Sequence, residues 1–454
     1  MMRVHFIAIG GAAMHNLAIA LHLKGYEISG SDDVIFEPSK SRLEKYGLLP
    51  AKMGWDVDNI QSDYDVIILG MHAQKDNPEL LKAQELGLNI CSYPEYIYRQ
   101  SKTKTRVVIG GSHGKTTITS MILHVMRKCG RECDYLVGAQ LEGFDTMVRL
   151  TDTAPVIIIE GDEYLASPID KRPKFHIYKA HVAVISGIAW DHINVFPTFE
   201  NYIDQFRKFL GTVMDGGKVI YCAEDEVLNK VINEEHSKLY KIPYGTPDYT
   251  ILDGTTTLVT QDRDVVLTIF GRHNLMNLNA AKMVCNQLNI SDNQFYDAIS
   301  SFSGAARRLE LLGKNSQTTV YKDFAHSPSK LKATIEAVKQ QYPDRILIAL
   351  MELHTYSSLN REFLNEYKGC MDGADQAIVF IDQHTFLQKK IEPYDEATVK
   401  SSFGNGKLKF FNNPDILVGY LHNINYRGKN FLLMSSGNFG GIDLKVLAKN
   451  ILAQ

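Results

Sequence analysis

Apolar and polar positions along the chain change period in a repeating order. Residues 4–9 are an apolar run closed by Gly10-Gly11, residues 12–24 carry apolar positions at helical spacing, and a second run ends at Gly30-Ser31-Asp32. Residues 65–70 form a third apolar run, followed by Asp76-Asn77-Pro78 and a helical pattern over 79–86. Strand, helix and strand in alternation predict a parallel sheet. The polar stretch 100–105 lacks periodicity and is expected to be a linker.

A second block repeats the pattern. A strand is expected over 106–109, a tight glycine loop over 110–115, a helix over 116–128, and strands over 156–160, 181–185 and 218–222. Residues 249–270 alternate around Asp253-Gly254 and 261–264, which predicts antiparallel hairpins. A helix over 273–288 leads to the small-residue stretch 300–306, a second expected linker. The last block carries strands at 319–323, 346–351, 376–380 and 430–435 and a helix at 330–341. The reading is an α/β chain of three domains, 1–103, 104–303 and 304–454.

Composition narrows the partners little. Among 454 residues, 49 Lys and Arg stand against 52 Asp and Glu, so no basic excess points to nucleic acid. No apolar run approaches the ~18 residues that cross a bilayer, and no membrane partner is expected. Cys91, Cys129, Cys133, Cys222, Cys285 and Cys370 form neither a disulfide framework nor a paired metal motif. A reducing cytoplasm is the expected compartment.

The strongest local chemistry is Gly110-Gly111-Ser112-His113-Gly114-Lys115-Thr116-Thr117 between an expected strand and helix. Phosphates need backbone N–H groups that approach closely at a helix N-terminus, a Lys for the outer phosphates and a hydroxyl for Mg²⁺. Its Gly-x-x-Gly-Lys-Thr spacing is shorter than the common triphosphatase pattern, yet the context favours ATP. Glu160-Gly161-Asp162-Glu163 ends a strand, and Asp191-His192 follows the next. Three carboxylates and an imidazole at that edge suit Mg²⁺. The earlier loop, Ala8-Ile9-Gly10-Gly11-Ala12-Ala13, keeps one of the three glycines of a dinucleotide fingerprint, with Asp32 placed 22 residues beyond Gly10 to meet a ribose. Asn274 and Asn277 lie three apart on one helical face, suited to an adenine edge or ribose. Arg308 could clamp a phosphoryl group, and Asp323 and His326 could orient a nucleophile.

In this order, IGGAAM, GSHGKTT, EGDEY, DH, GRHNLMN, ARRLELLG, YKDFAHSP and SSGNFGG resemble the Mur ligases, ATP-dependent amide-bond-forming enzymes of peptidoglycan assembly, over essentially the whole chain. The resemblance implies a Rossmann-like UDP-sugar domain, a central P-loop ATPase domain and a Rossmann-like C-terminal domain that closes on the amino substrate. It places Gly111, Ser112, His113, Gly114, Lys115, Thr116, Thr117, Asn274, Asn277 and Arg308 at ATP. It assigns Thr116, Glu160 and His192 to Mg²⁺, and Lys115, Glu160, His192, Arg308 and Asp323 to catalysis. It implies UDP-sugar contacts at Gly10, Gly11, Ala12, Ala13, Met14, Asp32, His72 and Ala73. A carboxylate attacks the γ-phosphate, and an amine then attacks the acyl phosphate.

Phe206 stands where several members carry a carbamoylated Lys, and branches using free UDP-N-acetylmuramate also lack that Lys. Ser327 replaces a second His, and Ser-Gly-Asn-Phe replaces Asn-Gly-Gly-Phe near the C-terminus. Two branches take UDP-N-acetylmuramate: one adds L-alanine, and the murein-peptide ligases reattach L-alanyl-γ-D-glutamyl-meso-diaminopimelate in recycling. Residues 162–175, DEYLASPIDKRPKF, resemble the recycling branch, whose acceptor carboxylates would reward Lys171 and Arg172. His326 and His354 are further acceptor candidates, although Glu352-Leu353-His354-Thr355-Tyr356 is similar to the alanine-adding branch. The expected enzyme is a monomer or weak homo-oligomer. An NAD oxidoreductase leaves GSHGKTT unexplained, a regulatory ATP-binding module would release no phosphate, and the folylpolyglutamate synthases start near the P-loop.

Overall fold

A computed structural model describes the chain except Glu142, Ile193, His236, Ser237, Ala305 to Arg307 and Lys390. The first two residues of the ARRLELLG motif, and part of the expected second linker, therefore lie outside the described residues. The chain divides into a first unit, Met1–Ile188 with Thr198–Gly245 and Ala280–Phe295, and a second, Ala189–Pro197 with Thr246–Asn279 and Tyr296–Gln454.

The first unit holds two sheets. β1 (Arg3–Ile7), β2 (Glu27–Ser31), β3 (Val66–Leu69) and β4 (Ile90–Ser92) are all parallel in the order β2-β1-β3-β4. α1 (Ala12–Leu23) follows β1 and is buried along most of its length. The second sheet contains β5 (Thr105–Gly110), β6 (Asp134–Leu136), β7 (Val148–Arg149), β8 (Val156–Glu160), β9 (Val182–Ile185), β10 (Lys218–Cys222) and β11 (Tyr240–Tyr244), ordered β11-β10-β9-β5-β8-β6-β7. Only the β6–β7 pairing is antiparallel. α2 (Lys115–Lys128) leaves the C-terminal end of β5, and α3 (Phe199–Leu210) buries Tyr202, Phe206 and Phe209. Parallel strands covered by helices are apolar on both faces, as Val107–Ile109 and Ile157–Ile159 are.

In the second unit, β12 (Tyr249–Leu252), β13 (Thr255–Leu258) and β14 (Val265–Leu267) form the expected antiparallel hairpins. α4 (Arg272–Gln287) follows and continues into the first unit. β15 (Glu310–Lys314), β16 (Thr319–Asp323), β17 (Ile346–Glu352), β18 (Gln376–Phe380), β19 (Lys409–Phe411) and β20 (Lys429–Met434) make a sheet ordered β15-β16-β20-β17-β18-β19, with β15 antiparallel. α5 (Pro328–Gln341) joins β16 to β17. No described helix is long and apolar enough to cross a membrane. Five of the six free cysteines are buried, and burial pushes the thiols of Cys91 and Cys133 up to about 12.

The stretch expected as a loose linker is a pinned joint. Residues 101–104 separate a helix ending at Gln100 from β5, and both Ser101 and Lys104 are buried. Arg106, itself buried, donates to the carbonyls of Ser101 (2.9 Å), Lys102 (3.2 Å) and Lys104 (3.3 Å). Lys104 donates to the carbonyls of Thr151 (2.7 Å) and Ala154 (2.8 Å) and pairs with Asp134 at 2.9 Å. The polar side chains serve internal acceptors rather than solvent.

A second buried polar group holds the first sheet. Glu79 is fully buried; it accepts from the Ser31 hydroxyl, from the Asp56 amide at 2.9 Å and from Asn59 Nδ2 at 2.9 Å, with His5 Nε2 at 3.8 Å. Burial raises this carboxyl, but His5, Ser31, Asp56 and Asn59 outweigh burial and hold it below the usual value. A depressed acid stabilises the fold above its unfolded pKa, and the contribution is lost as pH falls through the folded one. Glu79→Ala strands these donors and is expected to destabilise the protein by about 3 kcal/mol at neutral pH. Urea unfolding should show that loss, shrinking as the medium is acidified.

Candidate active site

The glycine loop opens α2 as the motif requires. Gly111 has φ +121°, and a Cβ there would lie 2.7 Å from the Ser186 nitrogen; Gly114 caps α2 with φ +81°. Both positions need a residue without a side chain. The loop's floor is aromatic: Phe206 packs edge-on to Phe175 (5.6 Å between ring centres) and to Tyr202 (5.3 Å), and the Tyr202 hydroxyl lies 2.9 Å from Ser112 Oγ. An apolar ring at 206, where other members carry a modified Lys, thus supports the P-loop from beneath.

The three acids after β8 have three different partners. Glu163 is fully buried and accepts from Lys115 Nζ at 2.7 and 2.9 Å, while the same ammonium donates to the Gly111 carbonyl at 2.6 Å. Burial disfavours the Lys115 charge, yet Glu163, Asp162 and Glu160 outweigh it and raise the lysine above its ordinary value. Glu160 accepts from Thr116 Oγ1 and from the Gly138 amide, each at 2.8 Å. Asp162 pairs with Lys174 at 2.6 Å. The three carboxylates of the expected Mg²⁺ group thus have separate protein partners, and Thr116 and Glu160 present hard oxygen donors to one another. Burial, against Gly138, Thr116 and Lys115, pushes Glu160 up, and a bound cation would offset that penalty.

A cavity of about 530 Å³ runs from the first glycine loop to this cluster. Gly11, Ala12, Ala13 and Met14 line one end, His72 contributes, and Lys115 and Glu160 line the other. Its size suits a small-molecule ligand. Asp32 accepts from the Gly10 amide at 2.7 Å, and burial raises its carboxyl to about 6. Asp33 pairs with His72 at 2.8 Å. Ala73, expected at the sugar, is packed into the core with Ile7, Ile67 and Leu69; Met71 and His72 face the cavity in its stead. Sequence reasoning also missed Tyr93, Met147 and Tyr178 in the lining, because none belongs to a motif.

The second unit carries the remaining candidates. Asp323 is buried; its carboxylate accepts from the Leu309 amide (2.6 Å) and the Ala325 amide (2.7 Å), so it positions the Arg308–Leu309 turn instead of presenting a free charge. The Arg308 guanidinium lies 4.9 Å over the Phe324 ring. Asn274 and Asn277 are both buried, and Asn274 donates to the Phe270 carbonyl at 2.9 Å. Burial and nearby Lys330 hold His326 down to about 4, so it is neutral at pH 7. His192 has φ +55°, and the preceding Asp191 lies 3.7 Å from Lys330. His354 follows the end of β17. The acceptor candidate Arg172 is held by Asp170 (2.7 Å) and Glu95 (3.2 Å), and Lys171 is exposed.

Three family models match in succession: the Mur ligase family catalytic domain over residues 3–105, the Mur ligase middle domain over 109–285, and the Mur ligase glutamate ligase domain over 307–437. The UDP-N-acetylmuramate–L-alanine ligase of Ruthia magnifica subsp. Calyptogena magnifica is 29% identical over 92% of this chain and 91% of its own. The structure of a murein peptide ligase from Psychrobacter arcticus superposes with TM-score 0.66 at 21% identity, covering 100% of this chain and 99% of its own. The UDP-N-acetylmuramate:L-alanyl-γ-D-glutamyl-meso-diaminopimelate ligase structure from Neisseria meningitides gives 0.61 at 26% identity, covering 66% of this chain and 98% of its own. With a P-loop, its paired acids and three matching domains in family order, the chain belongs to the Mur ligases, the ATP-dependent amide-bond-forming ligases of peptidoglycan synthesis.

Proposed function

We propose that this chain joins the carboxylate of UDP-N-acetylmuramate to the amine of L-alanyl-γ-D-glutamyl-meso-diaminopimelate. The carboxylate attacks the γ-phosphate and ADP leaves; the amine then attacks the acyl phosphate and inorganic phosphate departs. The observation that carries this reading is the cavity connecting the Gly11–Met14 turn to Lys115 and Glu160. It gives a sugar nucleotide bound at one end a path for its carboxylate to the phosphates at the other. Lys115 neutralises charge on the transferring phosphoryl group. Gly111 to Gly114, Thr116 and Thr117 cradle the phosphates. Mg²⁺ would be held by Thr116 and Glu160, with His192 as the imidazole ligand, and supplies further charge neutralisation. Asn274 and Asn277 serve the nucleotide, as does Arg308, whose turn Asp323 sets.

The tripeptide is favoured by the 162–175 run and by the structures named as murein peptide ligases. A second reading, L-alanine as acceptor, is favoured by relatives at 28–29% identity named UDP-N-acetylmuramate–L-alanine ligases. Because Arg172 and Lys174 already have acidic partners, the basic run alone does not decide between them. Phosphate release measured with each acceptor at equal UDP-N-acetylmuramate should favour the tripeptide; a preference for free L-alanine overturns the acceptor and leaves the ligase class intact.

Lys115→Ala is expected to lower turnover by ~100-fold or more, the scale of losing one transition-state donor. Glu160→Ala should raise the Mg²⁺ concentration required, and normal phosphate release in the folded Lys115 variant would refute the P-loop role. Asp32 supplies a pH signature. Below pH 6 its carboxyl takes up a proton and becomes a weaker, uncharged acceptor for the Gly10 amide, so UDP-N-acetylmuramate affinity should fall as pH drops through 6, with Asp33 and His72 as neighbouring titratable groups. Asp32→Asn should flatten that profile in a binding titration.

A further inference from the structure

A second cavity of about 550 Å³ lies in the first unit, as large as the one assigned to the sugar nucleotide. Its lining includes the buried side chains of Ala20, Leu123, Val148 and Leu150, with Phe144 also contributing. Four cations line it, Lys24, Arg127, Arg131 and Arg149, against one acid, Asp145. This concentration of positive charge occurs in a chain whose net charge is −3. Two of the cations have acidic partners: Lys24 pairs with Asp152 at 2.7 Å and Arg149 with Glu132 at 3.1 Å. Arg127 instead lies 5.3 Å over the Phe144 ring and approaches the Gly143 carbonyl at 3.4 Å. Apolar floor, aromatic wall and exposed guanidinium groups match a flat ring system bearing a carboxylate or phosphate.

The two cavities share a wall. Leu136 and Met147 line the first, whereas Tyr135, Thr146 and Val148 line the second. The shared segment is tied to α1 by Asn16, a fully buried carboxamide. Its Oδ1 accepts from the Met147 amide at 2.9 Å, and its Nδ2 donates to the carbonyl of Ala12 at 2.8 Å; Ala12 itself lines the sugar-nucleotide cavity. Arg42 also donates to the Asp145 carbonyl. Residues 143–148 therefore touch the first cavity through Met147 and, through Asn16, hold the first turn of α1.

We propose that the second cavity is a ligand site for a small aromatic anion and that its occupancy changes the affinity of the first cavity for its sugar nucleotide. Coupling of this kind is reciprocal, so each ligand alters the affinity of the other by the same factor. The identity of the first ligand rests on the function proposed above; the second site does not.

The test uses full-length protein and 8-anilinonaphthalene-1-sulfonate as probe. With UDP-N-acetylmuramate saturating, fluorescence titration should show one saturable site. Arg127→Glu with Arg131→Glu, both exposed and outside the catalytic machinery, should weaken it at least tenfold. In the wild type, saturating probe should shift the KM for UDP-N-acetylmuramate at least threefold, and in the double variant it should not. Probe affinity that falls in proportion to UDP-N-acetylmuramate without reaching a plateau, which is direct competition, or unchanged probe affinity in the double variant, overturns the site. An unmoved KM overturns the coupling. A titration of UDP-N-acetylmuramate without probe tests the sugar-nucleotide reading separately, so failure of one is distinguishable from failure of the other.

Discussion

Taking the Lys115 ammonium out of water is the constraint on which the active site depends. A desolvated ammonium costs several kcal/mol unless it is paired and its donors are used. Here Glu163 and the Gly111 carbonyl use them. The pairing demands that the end of β8 stand beside the P-loop, which the parallel β5–β8 register supplies by setting Ile109 opposite Glu160. Slipping that register by one residue would leave both apolar faces of β8 buried but move Glu160 and the acids after it along the sheet, away from α2. Sheet pairing, helix N-terminus and charge pairing thus specify one another.

The same arrangement gives three neighbouring acids three different partners. A short turn sends successive side chains in different directions: Glu160 meets the Thr116 hydroxyl, Asp162 the Lys174 ammonium and Glu163 the Lys115 ammonium. Glu160 and Asp162 both line that end of the cavity, beside Lys115 and Lys174. Proximity in sequence identified the functional edge of the sheet, and packing decided what each acid does there.

Long apolar strands and glycine loops were legible because their signals are local. β5 and β8 carry the apolar runs Val107–Ile109 and Val156–Ile159, and Gly111 and Gly114 are needed for backbone geometry alone. β6 and β7 were not, since three and two residues carry no period. They are held by pairing with one another and with β8, contacts distant in sequence. The connection at 101–104 was legible but its anchoring was not: its composition is that of a solvated tether, whereas Arg106 and Lys104 turn inward to carbonyls. Ala73 sits within a loop whose neighbours reach the cavity, and only its burial distinguishes it.

Backbone strain marks the functional ends of the elements. Ala8, His192, Leu309 and Phe439 have positive φ without being glycine, a conformation that persists only where surrounding contacts impose it. Ala8 precedes Gly10, whose amide is held by Asp32, and its own amide donates to the Ser31 carbonyl at 2.9 Å. Leu309 is held by Asp323 and follows Arg308. Phe439 donates its amide to the buried Glu352 at the end of β17, and a Cβ at the neighbouring Gly437 would lie 2.8 Å from His354. At Ala8, Leu309 and Phe439 a buried carboxylate thus fixes a turn beside a residue expected to meet substrate.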